Sequence, residues 1–318
     1  MIDWTDRHCR AFFRLFSPNM QIYTEMITTG ALLHGDQDRF LDFSPQEQPV
    51  VLQLGGSSPT DLAACVKLAA QRGYSEVNLN LGCPSPRVQK GAFGACLMAE
   101  KTQVMDCVKA MQDASDLPIS IKCRLGIDDL DSDEFLLDFL SGLYDIQCRH
   151  WLIHARIALL NGLSPKENRT VPPLNYPRVH LVKRTFPSAR VIINGGLSGT
   201  AQARAALQIE PGLELDGAML GRAAYQNPQC LLDVDAVFFA QAQTINTSFT
   251  IADQYSEYLK TLEPIRQKSA IRHTLGLFNG YKGAKLWRRQ LSEGLNENRL
   301  PLDLWYTSLN DLRQYSFN

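Results

Sequence analysis

Seven short apolar runs, separated by helical patterns, restrict this chain to few architectures. The runs are QIYTEMI (21–27), VVLQLGG (50–56), VNLNLG (77–82), ISIKCRLG (119–126), WLIHAR (151–156), VIINGG (191–196) and GAMLGR (217–222). They are continuous rather than alternating, as strands buried on both faces are. Between them, PTDLAACVKLAAQRG (59–73) opens on a Thr-Asp start and closes on Gly73. TQVMDCVKAMQDA (102–114), DEFLLDFLSGLY (133–144), YPRVHLVKRTF (176–186) and TAQARAALQ (200–208) repeat the helical pattern. Strand and helix alternate at intervals of roughly 30 residues, the rhythm of βαβ units. The expected fold is therefore a TIM (β/α)8 barrel one strand short. Helical periodicity in TDRHCRAFFRLFS (5–17) precedes the first run, so the lacking first strand is expected before residue 1. A doubly wound open sheet also accommodates seven strands and is the alternative.

From about residue 245 the strand signals stop. IADQYSEYLKTLE, IRQKSAIRHTLGLF, AKLWRRQLSEGL and PLDLWYTSLNDLRQY read as amphipathic helices of a small bundle. This divides the chain into residues 1–240 and 245–318, with TINTS (244–248) as the linker. Charge follows the division. Residues 1–244 hold 22 Lys+Arg against 26 Asp+Glu, and residues 245–318 hold 10 against 7. A net charge of −1 excludes a polycation, so a basic face is expected only at the C-terminal end. The apolar runs are too short to span a membrane, and MIDWTDRHCR is unlike a secretory leader. Eight scattered cysteines, with no CxxC pair and no zinc spacing, argue against a metal site and for the cytoplasm.

In a barrel, polar residues at the C-terminal strand ends face the active site. Here they are Glu25, Gln53, Asn78 or Asn80, Cys83, Lys122, Arg124, His154, Arg156, Asn194 and Arg222. Singly, each has a plain reading as a cap, a surface charge or a core residue. Together, at equivalent places on successive strands, they point to one site. INGG (193–196) and LGR (220–222) end the last two strands on glycine, where barrels hold phosphate through backbone N–H groups. Asn194, Gly195, Gly196, Gly221 and Arg222 are the phosphate candidates. Lys122 suits either a Schiff base or a positive charge beside a ring that gains electrons. Gln53 and Asn80 offer amides suited to the edge of a flat heterocycle. No histidine stands between His34 and His150 to serve Cys83 as a base. A thiol with no activating neighbour is mostly protonated at neutral pH and suits general acid work. The competing reading of Cys83 is a small core residue.

These residues stand in a recognisable series. NLNLGCPSPRVQKGAFGACLM, IKCRLGIDD, IHARIALLNGLSPKENRTVPPLNY, INGG and LGRAAYQNP resemble the tRNA-dihydrouridine synthases from residue 1 to past residue 290. GLSPKENRTVPPLNY and YTEMITTGALLHG (23–35) resemble the A subfamily, which implies D-loop positions 20 and 20a. The resemblance implies an FMN-binding barrel followed by a helical part that grips tRNA, with NADPH as reductant. It implies hydride transfer from flavin N5 to C6 of uracil and protonation of C5 by Cys83, with Asn80 contacting the base. Gln53, Lys122 and His154 match contacts to the flavin ring and ribityl chain. Met1 matches the last residue of a turn whose backbone touches the flavin. Lys166 and Arg169 match tRNA-contacting positions, and Arg156 lines the same channel. Lys282, Lys285, Arg288 and Arg289, with Trp287 among them, form the basic stretch expected to meet the tRNA backbone. A monomer is expected. The alternatives are a reductase of free pyrimidines, a lyase using Lys122, and a flavin-free tRNA-binding protein.

Overall fold

The computed structural model describes residues 1–240, 247–295 and 299–317, so most of the expected linker lies outside the described residues. Seven parallel strands form one sheet: β1 (Ile22–Thr28), β2 (Val50–Gly55), β3 (Glu76–Leu81), β4 (Ile119–Arg124), β5 (His150–His154), β6 (Arg190–Asn194) and β7 (Gly217–Met219). Their order is strictly sequential from β1 to β7. A doubly wound sheet reverses its order at a switch point, and this one does not. The expectation of a barrel-type α/β fold therefore holds. Among the described residues β1 pairs only with β2 and β7 only with β6. Residues 1–3 bridge the two edges at their C-terminal ends. Met1 Sδ comes within 3.7 Å of where a Cβ on Gly221 would stand, and the Asp3 backbone bonds to the Glu25 carboxylate on β1.

The strands form because their residues are apolar on both faces. Every residue of β2 is buried, and so are Val77, Leu79 and Leu81 of β3. Helix α1 (Arg7–Arg14) comes first in the chain. Helices α2 (Pro59–Arg72), α3 (Lys101–Asp113), α4 (Asp133–Asp145), α5 (Tyr176–Thr185) and α6 (Thr200–Leu207) cover the outside of the sheet. α2 starts at a Ser58 cap with Pro59 in its first turn and stops at Gly73, whose φ of 84° suits glycine. The sequence reading missed a small antiparallel hairpin, Gln208–Glu210 with Leu213–Glu214, because neither arm is long enough to show a period.

Helices α7 (Ser248–Lys260), α8 (Pro264–Ile271), α9 (Ala284–Gly294) and α10 (Pro301–Phe317) follow. They enclose a second core with Tyr255, Trp287 and Trp305 at its centre. α1 joins this core through Cys9, Phe12, Phe13 and Phe16. Asp6 locks the junction. It caps α1 by accepting from Cys9 N at 2.9 Å, and it accepts from Arg272 Nη2 at 2.9 Å and His273 Nε2 at 3.0 Å. His273 is buried, and its Nδ1 lies 3.1 Å from the Tyr225 hydroxyl, whose ring stacks on Trp4 at 4.4 Å.

Burial pushes the Asp6 carboxyl up, but His273 and the Cys9 N–H outweigh it and hold the group well below the usual carboxylate range. A carboxyl depressed in the fold stabilises above its unfolded value, and that contribution is lost as pH falls through the folded value. Asp6→Asn should therefore cost about 2 kcal/mol at neutral pH. In urea titrations the gap between wild type and variant should narrow below about pH 4. A gap that stays constant down to pH 3 would show that Asp6 contributes nothing through its charge.

Candidate active site

On β3 the side chains of Glu76, Asn78 and Asn80 alternate inward among apolar neighbours. Asn78 is fully buried and Asn80 stands at the strand's C-terminal end. Asn80 Oδ1 accepts from the backbone N–H groups of Gly82 at 3.1 Å and Cys83 at 3.0 Å, so it folds the turn that carries the thiol. Its Nδ2 donates to Gln53 Oε1 at 3.0 Å. Gln53, Asn80 and Cys83, expected at one site, are thus brought together.

Arg124, at the end of β4 and 4% exposed, ties three loops to one point. Nε donates to Gly82 O at 3.1 Å, and Nη1 donates to Ile157 O at 3.1 Å and Asn168 O at 2.9 Å. Asn168 is itself buried and binds Leu159 N and Leu159 O, each at 2.8 Å. The sequence reading passed over it in favour of its charged neighbours Lys166 and Arg169, which are exposed. An uncharged Asn in a polar loop gives no signal of burial.

Lys122, from the middle of the β4 end, makes no hydrogen bond or ion pair among the described residues. Burial, and then Arg124, push its amine down to about 8. His154 ends β5 with its Nδ1 buried and unpartnered. Burial first, then Arg124, Lys122, Arg156 and Arg222, hold its ring well below the usual value, so it is neutral at physiological pH. Arg156 donates to Pro172 O and leaves its own Nε buried without a partner. Cys83 lies within electrostatic reach of Lys122, Arg124 and Arg169.

Past β6, Asn194 Nδ2 donates to Met219 O at 2.7 Å and links β6 to β7. Gly195 and Gly196 have φ of 113° and 72°, where only glycine is unstrained. A Cβ on Gly196 would stand 2.4 Å from Leu174 Cδ1. The Tyr176 hydroxyl, absent from the sequence-based set, donates to Gly195 O at 2.7 Å. Arg222 opens a short helix after Gly221, and its Nη2 donates to Arg169 O at 3.1 Å. Met1, Asn194, Gly195, Gly196, Gly221 and Arg222 therefore lie along one rim.

Lys282, Lys285, Arg288 and Arg289 are all exposed. Trp287 is not among them. It is fully buried in the second core, because α9 must turn one face inward, and its Nε1 donates to Thr274 O at 3.3 Å. Arg288 Nη1 holds Asn279 Oδ1 at 2.9 Å, and Asn279 Nδ2 donates to Gln226 O at 2.5 Å. The basic stretch is thereby tied to the short helix that begins at Arg222. No group of three His, Cys, Asp or Glu among the described residues could hold a metal ion, and no described helix is long and apolar enough to cross a membrane.

The described residues form a sequential parallel barrel-type sheet whose mouth carries amides, cations, left-handed glycines and a thiol. The dihydrouridine synthase (Dus) family model matches residues 1–307, and the chain belongs to that family. It is 49% identical over 300 residues to a tRNA-dihydrouridine(20/20a) synthase of Shewanella oneidensis, covering 94% of this chain and 88% of the relative. It is 50% identical over 302 residues to the protein of that name from Escherichia coli K12, covering 93% and 85%. The fold alone is shared with a 2-naphthoyl-CoA reductase in complex with 2-naphthoyl-CoA, at 10% identity and a TM-score of 0.53, over 73% of this chain and 47% of that one.

Arg124→Met should cost about 3 kcal/mol in urea unfolding, since three buried carbonyls lose a charged donor. Limited proteolysis should then cut within 157–169. Arg124→Lys should recover less than half of the loss, because an ammonium cannot span the fork. Full recovery by Lys would show that charge alone, not the three-loop tie, is what matters.

Proposed function

We propose that this chain is an FMN-dependent tRNA-dihydrouridine synthase that reduces the C5–C6 double bond of D-loop uridines at positions 20 and 20a, with NADPH as reductant. The observation that carries the reading is the set of unpartnered groups at the mouth. Lys122 Nζ has no partner among the described residues, and His154 Nδ1 is buried without one. Lys122 stands near Cys83, and His154 stands near Arg124, which ties the Cys83 loop. A buried polar atom left unpaired, as His154 Nδ1 is, commonly meets a ligand. Membership of the family supports reading that ligand as FMN.

The residues present fit FMN. The Gly195–Gly196 backbone, Gly221 and Arg222 suit its phosphate, His154 its ribityl chain, and Gln53, Lys122 and the Met1 backbone its ring. When bound, the flavin supplies the hydride for C6 of uracil. The chain's own residues do the remainder. Asn80 positions the base and holds the loop, and Cys83 donates a proton from Sγ to C5. Arg156, Lys166 and Arg169 line the approach of the tRNA. Lys282, Lys285, Arg288 and Arg289 contact its phosphates and set its orientation. Residues 1–240 carry the flavin and residues 245–318 grip the tRNA. The protein works in the cytoplasm as a monomer.

Mass analysis of D-loop fragments after incubation with unmodified tRNA and NADPH should show the gain of two hydrogens. Cys83→Ala should lower the rate about 100-fold or more while flavin absorbance is retained. Undiminished turnover by Cys83→Ala would remove Cys83 from the proton step. Absence of yellow flavin in the wild-type chain would end the FMN reading.

Lys122 loses its proton as pH rises through about 8, so FMN binding should weaken across that range. The backbone N–H groups of Gly195 and Gly196 do not titrate, so the phosphate contact they offer persists. Lys122→Met should bind FMN more weakly and with a flat profile between pH 7 and about 9. An unchanged slope in the variant would assign the titration elsewhere.

A further inference from the structure

Below the mouth, the barrel interior holds an unbroken hydrogen-bonded ladder. Asn80 Nδ2 donates to Gln53 Oε1 at 3.0 Å, Gln53 Nε2 to Asn78 Oδ1 at 2.9 Å, and Asn78 Nδ2 to Ser120 Oγ at 2.8 Å. Ser120 Oγ donates to Glu76 Oε1. Gln53, Asn78 and Ser120 occupy directly paired positions on β2, β3 and β4. Glu76, Asn78 and Ser120 are at most 3% exposed, so water does not compete for these bonds.

We propose that Glu76, Ser120 and Asn78 are positioning residues that fix which way the Gln53 and Asn80 amides face, and so keep the Cys83 loop in place. An amide can turn over and exchange donor for acceptor, and nothing in an isolated Gln or Asn prevents it. This ladder has one self-consistent sense. Its lower end is a carboxylate, which only accepts, and its upper end is a pair of backbone N–H groups, which only donate. Burial pushes the Glu76 carboxyl up, but His150, Ser120 and Gln21 outweigh it and hold the group below the usual range, so it remains an acceptor. Every amide between the two ends must then point its oxygen toward the mouth side of the ladder and its nitrogen toward Glu76. Asn80 Oδ1 is left facing the Gly82 and Cys83 N–H groups, and one N–H each of Gln53 and Asn80, the two amides nearest the mouth, is left for a ligand carbonyl. The chemical meaning of that donor edge rests on the proposed uridine reduction. The loop-holding role does not.

The test is the rate at which iodoacetamide alkylates Cys83 in the full chain, read by mass spectrometry against Cys96 and Cys230 as internal references. Ser120→Ala removes the rung between Asn78 and Glu76. It should speed Cys83 alkylation about fivefold, the population change that one net hydrogen bond is worth, and leave the references unchanged. Glu76→Gln keeps the shape but replaces the acceptor-only end, and should act in the same direction should Ser120→Ala not fold. Ser120→Thr restores the hydroxyl and should restore the wild-type rate. With tRNA, Ser120→Ala should lower kcat and leave the KM for tRNA unchanged. Cys83 alkylation within twofold of wild type in folded Ser120→Ala and Glu76→Gln would overturn the proposal. A wild-type chain that reduces no uridine but shows these alkylation rates would overturn the functional reading and keep the ladder.

Discussion

The mouth of this barrel is organised around one buried guanidinium that has no carboxylate partner among the described residues. Arg124 satisfies itself on three backbone carbonyls, and in doing so pins the loops bearing Cys83, Arg156 and the Lys166–Arg169 segment to one point. Carbonyl dipoles hold the charge but do not cancel it. Burial first, and then this charge, hold His154 neutral and push the Lys122 amine down to about 8. Among the described residues, every ionic neighbour that acts on Arg169 or Arg124 is a cation or the Cys83 thiol. Such a mouth carries unrelieved positive potential, and an anion entering it relaxes several groups at once. The same concentration of charge that makes the free site costly makes it receptive.

Much of this was legible before the fold. Continuous apolar runs at regular spacing located all seven strands within two residues at their starts, because a strand buried on both faces has little choice of composition. The strand-end residues converged because a barrel delivers every C-terminal end to one rim. Three things were not legible. Asn168, Ser120 and Tyr176 act through partners far apart in sequence, and no local pattern marks them. Trp287 looked like part of a basic surface because one-dimensional proximity does not separate the two faces of α9. Lys122 and Arg124 were expected at the same mouth as Cys83, but that Arg124 would turn its guanidinium onto the Gly82, Ile157 and Asn168 carbonyls was a property of the fold alone.

The period-two polar pattern inside VNLNL was a signal in plain view. An Asn at every second place of an otherwise apolar buried strand has to be paired with something. The structure shows how: three neighbouring strands carry polar groups at matched heights, and the barrel interior becomes a hydrogen-bonded column rather than an oil drop. Below Gln53 and Asn80, such a column rigidifies the floor of the site.

The second core has a bearing on how the chain is made. α1 is buried against α7 and α8, and His8 Nδ1 meets the Tyr258 hydroxyl at 2.7 Å across 250 residues. On the ribosome α1 emerges early, with its row of phenylalanines, and the helices that cover it are synthesised late. For that interval the apolar face of α1 lies exposed, and transiently exposed apolar surface favours aggregation. Contacts so distant in sequence also form slowly. The junction that joins the barrel to its helical partner therefore closes only after α7 and α8 have been made, and a chain cut short before them leaves α1 uncovered.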